Sequence, residues 1–190
     1  MKRYLFIVSI LTVMLVNTSI SSMAEDKNDY TFALRTNLVH WAALAPNIGA
    51  EWRATPRLGF VMNGSWTSWS WLHHDRRYAW WEASPEVRYY ILGRENRGYV
   101  GTMYHTGEFN LKFDETGRQG DYYGCGITGG YIQQIMPSLS LDLHFSIGYT
   151  RFNYDKYHVT GETRVYQQSD HTNYWGLNQL GATLVWILGK

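Results

Sequence analysis

The chain has 190 residues, with 17 Lys and Arg against 16 Asp and Glu for a net charge of +1, a balance that offers no electrostatic case for nucleic acid or an anionic lipid surface as partner. Its length fits one domain, and its single cysteine, Cys125, excludes an internal disulfide. The unusual feature is 9 Trp and 15 Tyr beside 18 Gly, because Trp and Tyr favour places where one end is apolar and the other wet.

Met1-Lys2-Arg3 is a short positive start, Tyr4 to Val16 an uncharged apolar run, and Asn17 to Ala24 a small polar exit. That order predicts a secretory signal peptide over residues 1–24, cleaved after Ala24, with the mature domain spanning 25–190. The apolar run is well short of the roughly 20 residues that cross a bilayer as a helix.

Eight segments then read as strands: Thr31–Trp41, Asn47–Ala54, Arg57–Trp66, Trp81–Leu92, Tyr99–Asn110, Tyr122–Gln134, Ser138–Phe152 and Tyr174–Leu188. The seventh is the clearest. Leu139, Leu141, Leu143, Phe145, Ile147 and Tyr149 fall on one face, and Ser140, Asp142, His144, Ser146 and Gly148 on the other, the period-two signature of a two-faced strand. Most other segments repeat it: Phe32 and Leu34 oppose Arg35 and Asn37, Ile48 and Trp52 oppose Glu51 and Arg53, and Val87 and Tyr89 oppose Glu86 and Arg88. In the fifth, Tyr104 and His105 cannot be assigned to faces. The connections at Thr55-Pro56, Gly93–Arg97 and Met136-Pro137 are tight, whereas Thr67–Trp80, Leu111–Asp121 and Asn153–Asn173 read as long, polar, aromatic loops. No helix is expected beyond the leader.

Short turns at one end and long loops at the other, with an even strand count, predict an all-β, eight-stranded, antiparallel up-and-down transmembrane barrel in the outer membrane. A secreted or periplasmic soluble β-sandwich is the alternative. The strand-borne charges Arg35, Arg53 and Arg88 balance Glu51, Glu86 and Asp142 on the face opposite the apolar one. In a barrel of this size side chains fill the interior, so these six residues are predicted to form an ion-paired plug.

Three segments carry a family resemblance: "ALRTNLVHWAALAPNIGAEWRAT", "WWEASPEVRYYI" and "GYTRFNYDKY". They resemble an uncharacterised domain-of-unknown-function family of small outer-membrane β-barrel proteins from Bacteroidota, over roughly Thr31 to Lys190. The resemblance implies an outer-membrane location and the eight-stranded fold. Members of that family are often encoded near fimbrial proteins, which implies a surface-assembly or adhesion role and fimbrial or other surface proteins as partners, alongside outer-membrane lipid. His40-Trp41 and the Trp-rich second loop depart from the family pattern.

Chemistry is sparse. Asp142, His144 and Ser146 stand at i, i+2 and i+4 on one strand face, and His144-Phe145-Ser146 has the His-x-Ser spacing of eight-stranded lipid A deacylases. Same-face strand neighbours have Cβ atoms roughly 6–7 Å apart, whereas a base must come within about 2.6–3.2 Å of its nucleophile. The lipid would also lie outside while these residues point in, so the expectation is a polar interior and no enzyme. A lipid-A-modifying enzyme and a narrow pore remain the alternatives. Adjacent His73 and His74 point apart on an extended chain, so no metal site and no cofactor is expected. The cluster Trp66, Trp69, Trp71, Trp80 and Trp81 reads as an interfacial girdle, or, for Trp69, Trp71, Trp80 and Trp81, as loop anchors for a protein or glycan partner.

Overall fold

The computed structural model describes residues 31–71, 76–91, 97–160 and 163–188. Eight strands form one antiparallel sheet: β1 (Phe32–Asn37), β2 (Asn47–Arg53), β3 (Leu58–Trp71), β4 (Arg76–Tyr90), β5 (Gly98–Lys112), β6 (Thr116–Met136), β7 (Leu139–Thr160) and β8 (Thr163–Leu188). Each strand pairs with its sequence neighbour, and β8 returns to β1 through six partners from Phe32↔Leu188 to Asn37↔Thr183, closing the ring into a barrel. Closure removes the free edges of its lower part.

The ring is inside-out relative to a water-soluble core. Along β1 the burial pattern alternates so that Ala33, Arg35 and Asn37 are buried while Phe32 and Leu34 are exposed. On β2, Asn47, Gly49, Glu51 and Arg53 are buried and Ile48, Ala50 and Trp52 exposed. The same parity turns Glu86 and Arg88 inward and Val87 and Tyr89 outward on β4, and Asp142, His144 and Ser146 inward on β7. His105 is buried and Tyr104 exposed, which settles the fifth strand. Bulky inward groups lie across glycines of the next strand. Tyr99 faces Gly130 and His144 faces Gly181, where any Cβ would collide with the ring. Small against large is how a narrow cross-section is filled. Cys125 faces outward, as an exposed free thiol.

The structure corrects the expected elements in two places. The first strand stops at Asn37 rather than running to Trp41, because the Asn37 side chain accepts from the Val39 amide at 3.0 Å and caps a short helix, α1 (Leu38–Ala42). The three expected loops are in large part strand. β3 and β4 stay paired out to Trp71↔Arg76, β5 and β6 to Leu111↔Arg118, and β7 and β8 to Thr160↔Thr163. Beyond the closed ring most described side chains on both sheet faces are half-buried or exposed, so the clean alternation that marks a half-buried strand fades there. Cross-strand pairs such as Trp69↔Tyr78 and Trp66↔Trp81 hold the ladder instead. The expected leader, residues 1–24, and His73 and His74 lie outside the described residues.

Candidate functional site

The inner face has two zones. The first lies near the short-turn end and gathers the six charged residues into one network. Arg35 Nη1 donates to Glu51 Oε2 at 2.5 Å, and its Nη2 donates to Asp142 Oδ2. Arg88 Nη1 reaches the same Asp142 oxygen at 2.7 Å, while its Nη2 binds Glu86 Oε2 at 2.6 Å. Arg53 Nε completes the chain on Glu51 Oε1 at 3.1 Å. Asp142 on β7 is thus the hub joining β1 and β4 across the ring. Relative exposure is 7% for Arg53 and 4% or less for the other five. Charges so enclosed are tolerated only when paired and hydrogen-bonded.

Sequence reasoning missed three members. The Tyr90 hydroxyl donates to Glu51, the Tyr99 hydroxyl donates to Asp142 at 3.0 Å, and Thr128 Oγ1 donates to Glu86 Oε1 at 2.6 Å. The guanidinium of Arg53 stacks on Tyr90 at 3.9 Å and that of Arg88 on Tyr99 at 4.1 Å. Tyr90 was reachable by continuing the 84, 86, 88 parity by one step. Tyr99 was not, because the phase of the fifth strand rests on its pairing.

Asp142, His144 and Ser146 do share the inner face, but they do not assemble into a relay. Asp142 is engaged by two arginines and Tyr99, and His144 Nδ1 lies 3.7 Å from it. No hydrogen bond joins His144 to Ser146 among the described residues, and Ser146 Oγ has no hydrogen-bond partner there. Both side chains are buried.

The second zone lies toward the long hairpins. His105 Nε2 meets Thr150 Oγ1 at 2.9 Å, and above them the Tyr122 hydroxyl donates to Glu82 Oε2 at 3.0 Å. Aromatic rings then line the inner wall. Of the predicted tryptophan anchors, Trp81 pairs with Trp66 on the outward face, where both are exposed. Trp69 and Trp80 sit on inward positions: Trp69 Nε1 donates to the Leu44 carbonyl at 3.0 Å, and Trp80 Nε1 donates to the Tyr78 hydroxyl at 2.9 Å. Trp71 lies at the end of β3, opposite Arg76. Trp69, Trp71 and Trp80 therefore belong to strands and not to the expected loop Thr67–Trp80, which corrects their placement. Trp69 has a fastening role: with Thr67 Oγ1 on Leu44 O at 2.9 Å and Tyr78 Oη on Ala43 O at 3.0 Å, it holds the segment after α1, where Leu44 takes a left-handed φ of 58°. Among the described residues no cluster of His, Cys, Asp and Glu could hold a metal ion.

A closed antiparallel ring with an ion-paired interior and an apolar exterior defines the class: an inside-out, eight-stranded all-β barrel. The chain belongs to the family described as Protein of unknown function (DUF3575), which matches residues 8–188. No curated protein matches the chain, and no solved structure does.

Proposed function

We propose that the protein is a non-enzymatic outer-membrane barrel whose lumen is closed and whose long hairpins serve as a cell-surface interaction or assembly module. The observation that carries this reading is the inverted partition. Arg35, Glu51, Arg88 and Asp142 are at most 2% exposed, while Ile48, Ile127, Ile147 and Leu180 on the outer face are each at least 54% exposed. Such a surface is costly against water and suited to hydrocarbon.

Aromatic residues flank that band. Phe32, Trp52, Phe60, Tyr89 and Trp186 are exposed toward the short-turn end, and Trp41, Trp66, Trp81 and Trp175 toward the hairpin end. Paired aromatic girdles around an apolar band are the pattern of an outer-membrane barrel. Among the described residues no helix is long and apolar enough to cross a membrane, which says nothing of strands. The apolar leader supports export. The scattered Asp142–His144–Ser146 geometry supports a role without catalysis, and surface or fimbrial assembly proteins are the partner class that the resemblance implies.

The test is fractionation of the expressed chain, together with gel mobility before and after boiling. A mature start near Glu25, recovery with outer membranes and faster migration unheated are expected. Recovery as a detergent-free soluble protein overturns the reading. Planar-bilayer recordings check the closed lumen, and steady large conductance would turn the six plug residues into a pore lining.

A further inference from the structure

Above the Glu82–Tyr122 contact the inward face opens into a cup of about 880 Å³, within the usual size of a small-molecule site. Its wall is a run of rings from four strands: Trp80 on β4, Phe109 on β5, Tyr122 on β6, and Phe152 and Tyr154 on β7. They brace one another. Phe109 lies 6.1 Å from Phe152, 6.3 Å from Tyr122 and 6.5 Å from Tyr154, and Tyr122 lies 5.7 Å from Phe152. Glu82 pins the Tyr122 hydroxyl, and the Tyr154 hydroxyl lies 3.5 Å from Thr172 Oγ1. All five rings are only half-buried, so their faces stand ready to take a partner without rearrangement.

The chemistry of the lining selects the occupant. Only one aliphatic side chain, Leu111, joins the rings, which ill suits an acyl chain. The charges of the lining, Asp114 and Arg118, are one of each sign, and Arg118 already lies over Tyr154 at 6.0 Å. A phosphorylated or otherwise anionic ligand therefore finds no surplus cation. What remains are ring faces with a negative quadrupole and hydroxyls, on Thr116, Thr172 and Tyr154, that both donate and accept. A pyranose matches both: its C–H face meets a ring face, and its equatorial hydroxyls meet the rim.

We propose that this aromatic cup binds a neutral saccharide. The proposal deepens the surface-interaction reading and rests on it for the statement that the cup faces the cell exterior.

The test uses the full mature chain folded in an amine-oxide detergent, which carries no sugar headgroup. It is titrated with maltohexaose and with cellohexaose while tryptophan fluorescence and calorimetric heat are read. Saturable binding of at least one is expected, at least tenfold weaker in Tyr154→Ala and in Phe109→Ala. Trp66→Ala, on the outward face, is expected to bind like the parent. The boiled-against-unheated mobility shift identifies variants that remain folded. No saturable response to either oligosaccharide overturns the proposal, as does binding that Tyr154→Ala and Phe109→Ala leave intact. Binding by a protein that fails to fractionate with outer membranes sinks the location and leaves the cup. Correct location without binding sinks the cup alone.

Discussion

The two zones of the inner face share β4 to β7 at one parity, yet one is ionic and shut and the other aromatic and open. In the lower zone all eight strands enclose the space, so the charged side chains must satisfy one another: Asp142 alone serves Arg35, Arg88 and Tyr99. In the upper zone β1 and β2 have already ended at Asn37 and Asn47, while β8 continues up to Thr163. The wall there is incomplete and meets water, and rings that brace one another need no ionic partner. Enclosure, more than strand register, decides which chemistry an inward position carries.

The largest effect should come from Asp142→Ala. It takes one of two carboxylates from each of Arg35 and Arg88 and the acceptor from the Tyr99 hydroxyl in the closed zone, and removing one member of a buried ionic set costs about 3–5 kcal/mol. Guanidinium unfolding of the detergent-folded barrel reads it, and an unchanged midpoint would show that these charges are individually hydrated. Next comes Glu86→Ala. It leaves Arg88 with only Asp142, so the double variant Glu86→Ala/Arg88→Ala should be the more stable of the two, since Asp142 keeps Arg35 and Tyr99. A double variant weaker than the single would mean that Arg88 matters more to Asp142 than to Glu86.

In the upper zone the costs should be smaller. Trp69→Phe removes one hydrogen bond to Leu44 O, a loss of about 0.5–1.5 kcal/mol, with the barrel still folded and amide exchange at Ala43–Ala45 accelerated. Ser146→Ala deletes a hydroxyl with no partner among the described residues, so its cost should stay below about 1 kcal/mol. Mass spectra of lipid A from cells carrying it should match wild type, and a changed acyl pattern would bring the enzyme alternative forward.

The smallest effect lies at the exposed Lys156–Asp170 pair, 3.2 Å apart on the tall β7–β8 hairpin. The His171 amide and Lys156 hold the Asp170 carboxyl below its ordinary value of 3.8. A lowered folded value contributes stability above the unfolded one and loses it on acidification. Wild type and Asp170→Asn should therefore differ slightly at neutral pH and converge as pH falls below 3.8. Equal midpoints at every pH would mark the pair as energetically silent, as many exposed pairs are.

Much of the fold was legible in the sequence, and for a local reason. Side chains alternate across any extended chain, so Arg35, Glu51, Glu86 and Asp142 declared a shared face without any knowledge of neighbours. The hairpin lengths were not legible, because above the ring nothing enforces an apolar face and Asn153–Asn173 looks like a loop while being ladder. For the same reason the tryptophans could not be sorted. Trp80 and Trp81 differ by one residue, and only continuous strand through them puts one in the cup and the other outside.

The sequence by itself determined strand character, inward charge and outward apolarity, since each follows from a period of two along a single segment. Only the tertiary structure decided that Arg88 meets Asp142, 54 residues away and three strands round the ring. It alone decided, too, that β1 and β2 stop short and leave a cup above them. Both depend on the register that accumulates from strand to strand until the ring closes, with bulges such as the shift between Ser146 and Ile147 adding to it. No single segment contains that sum.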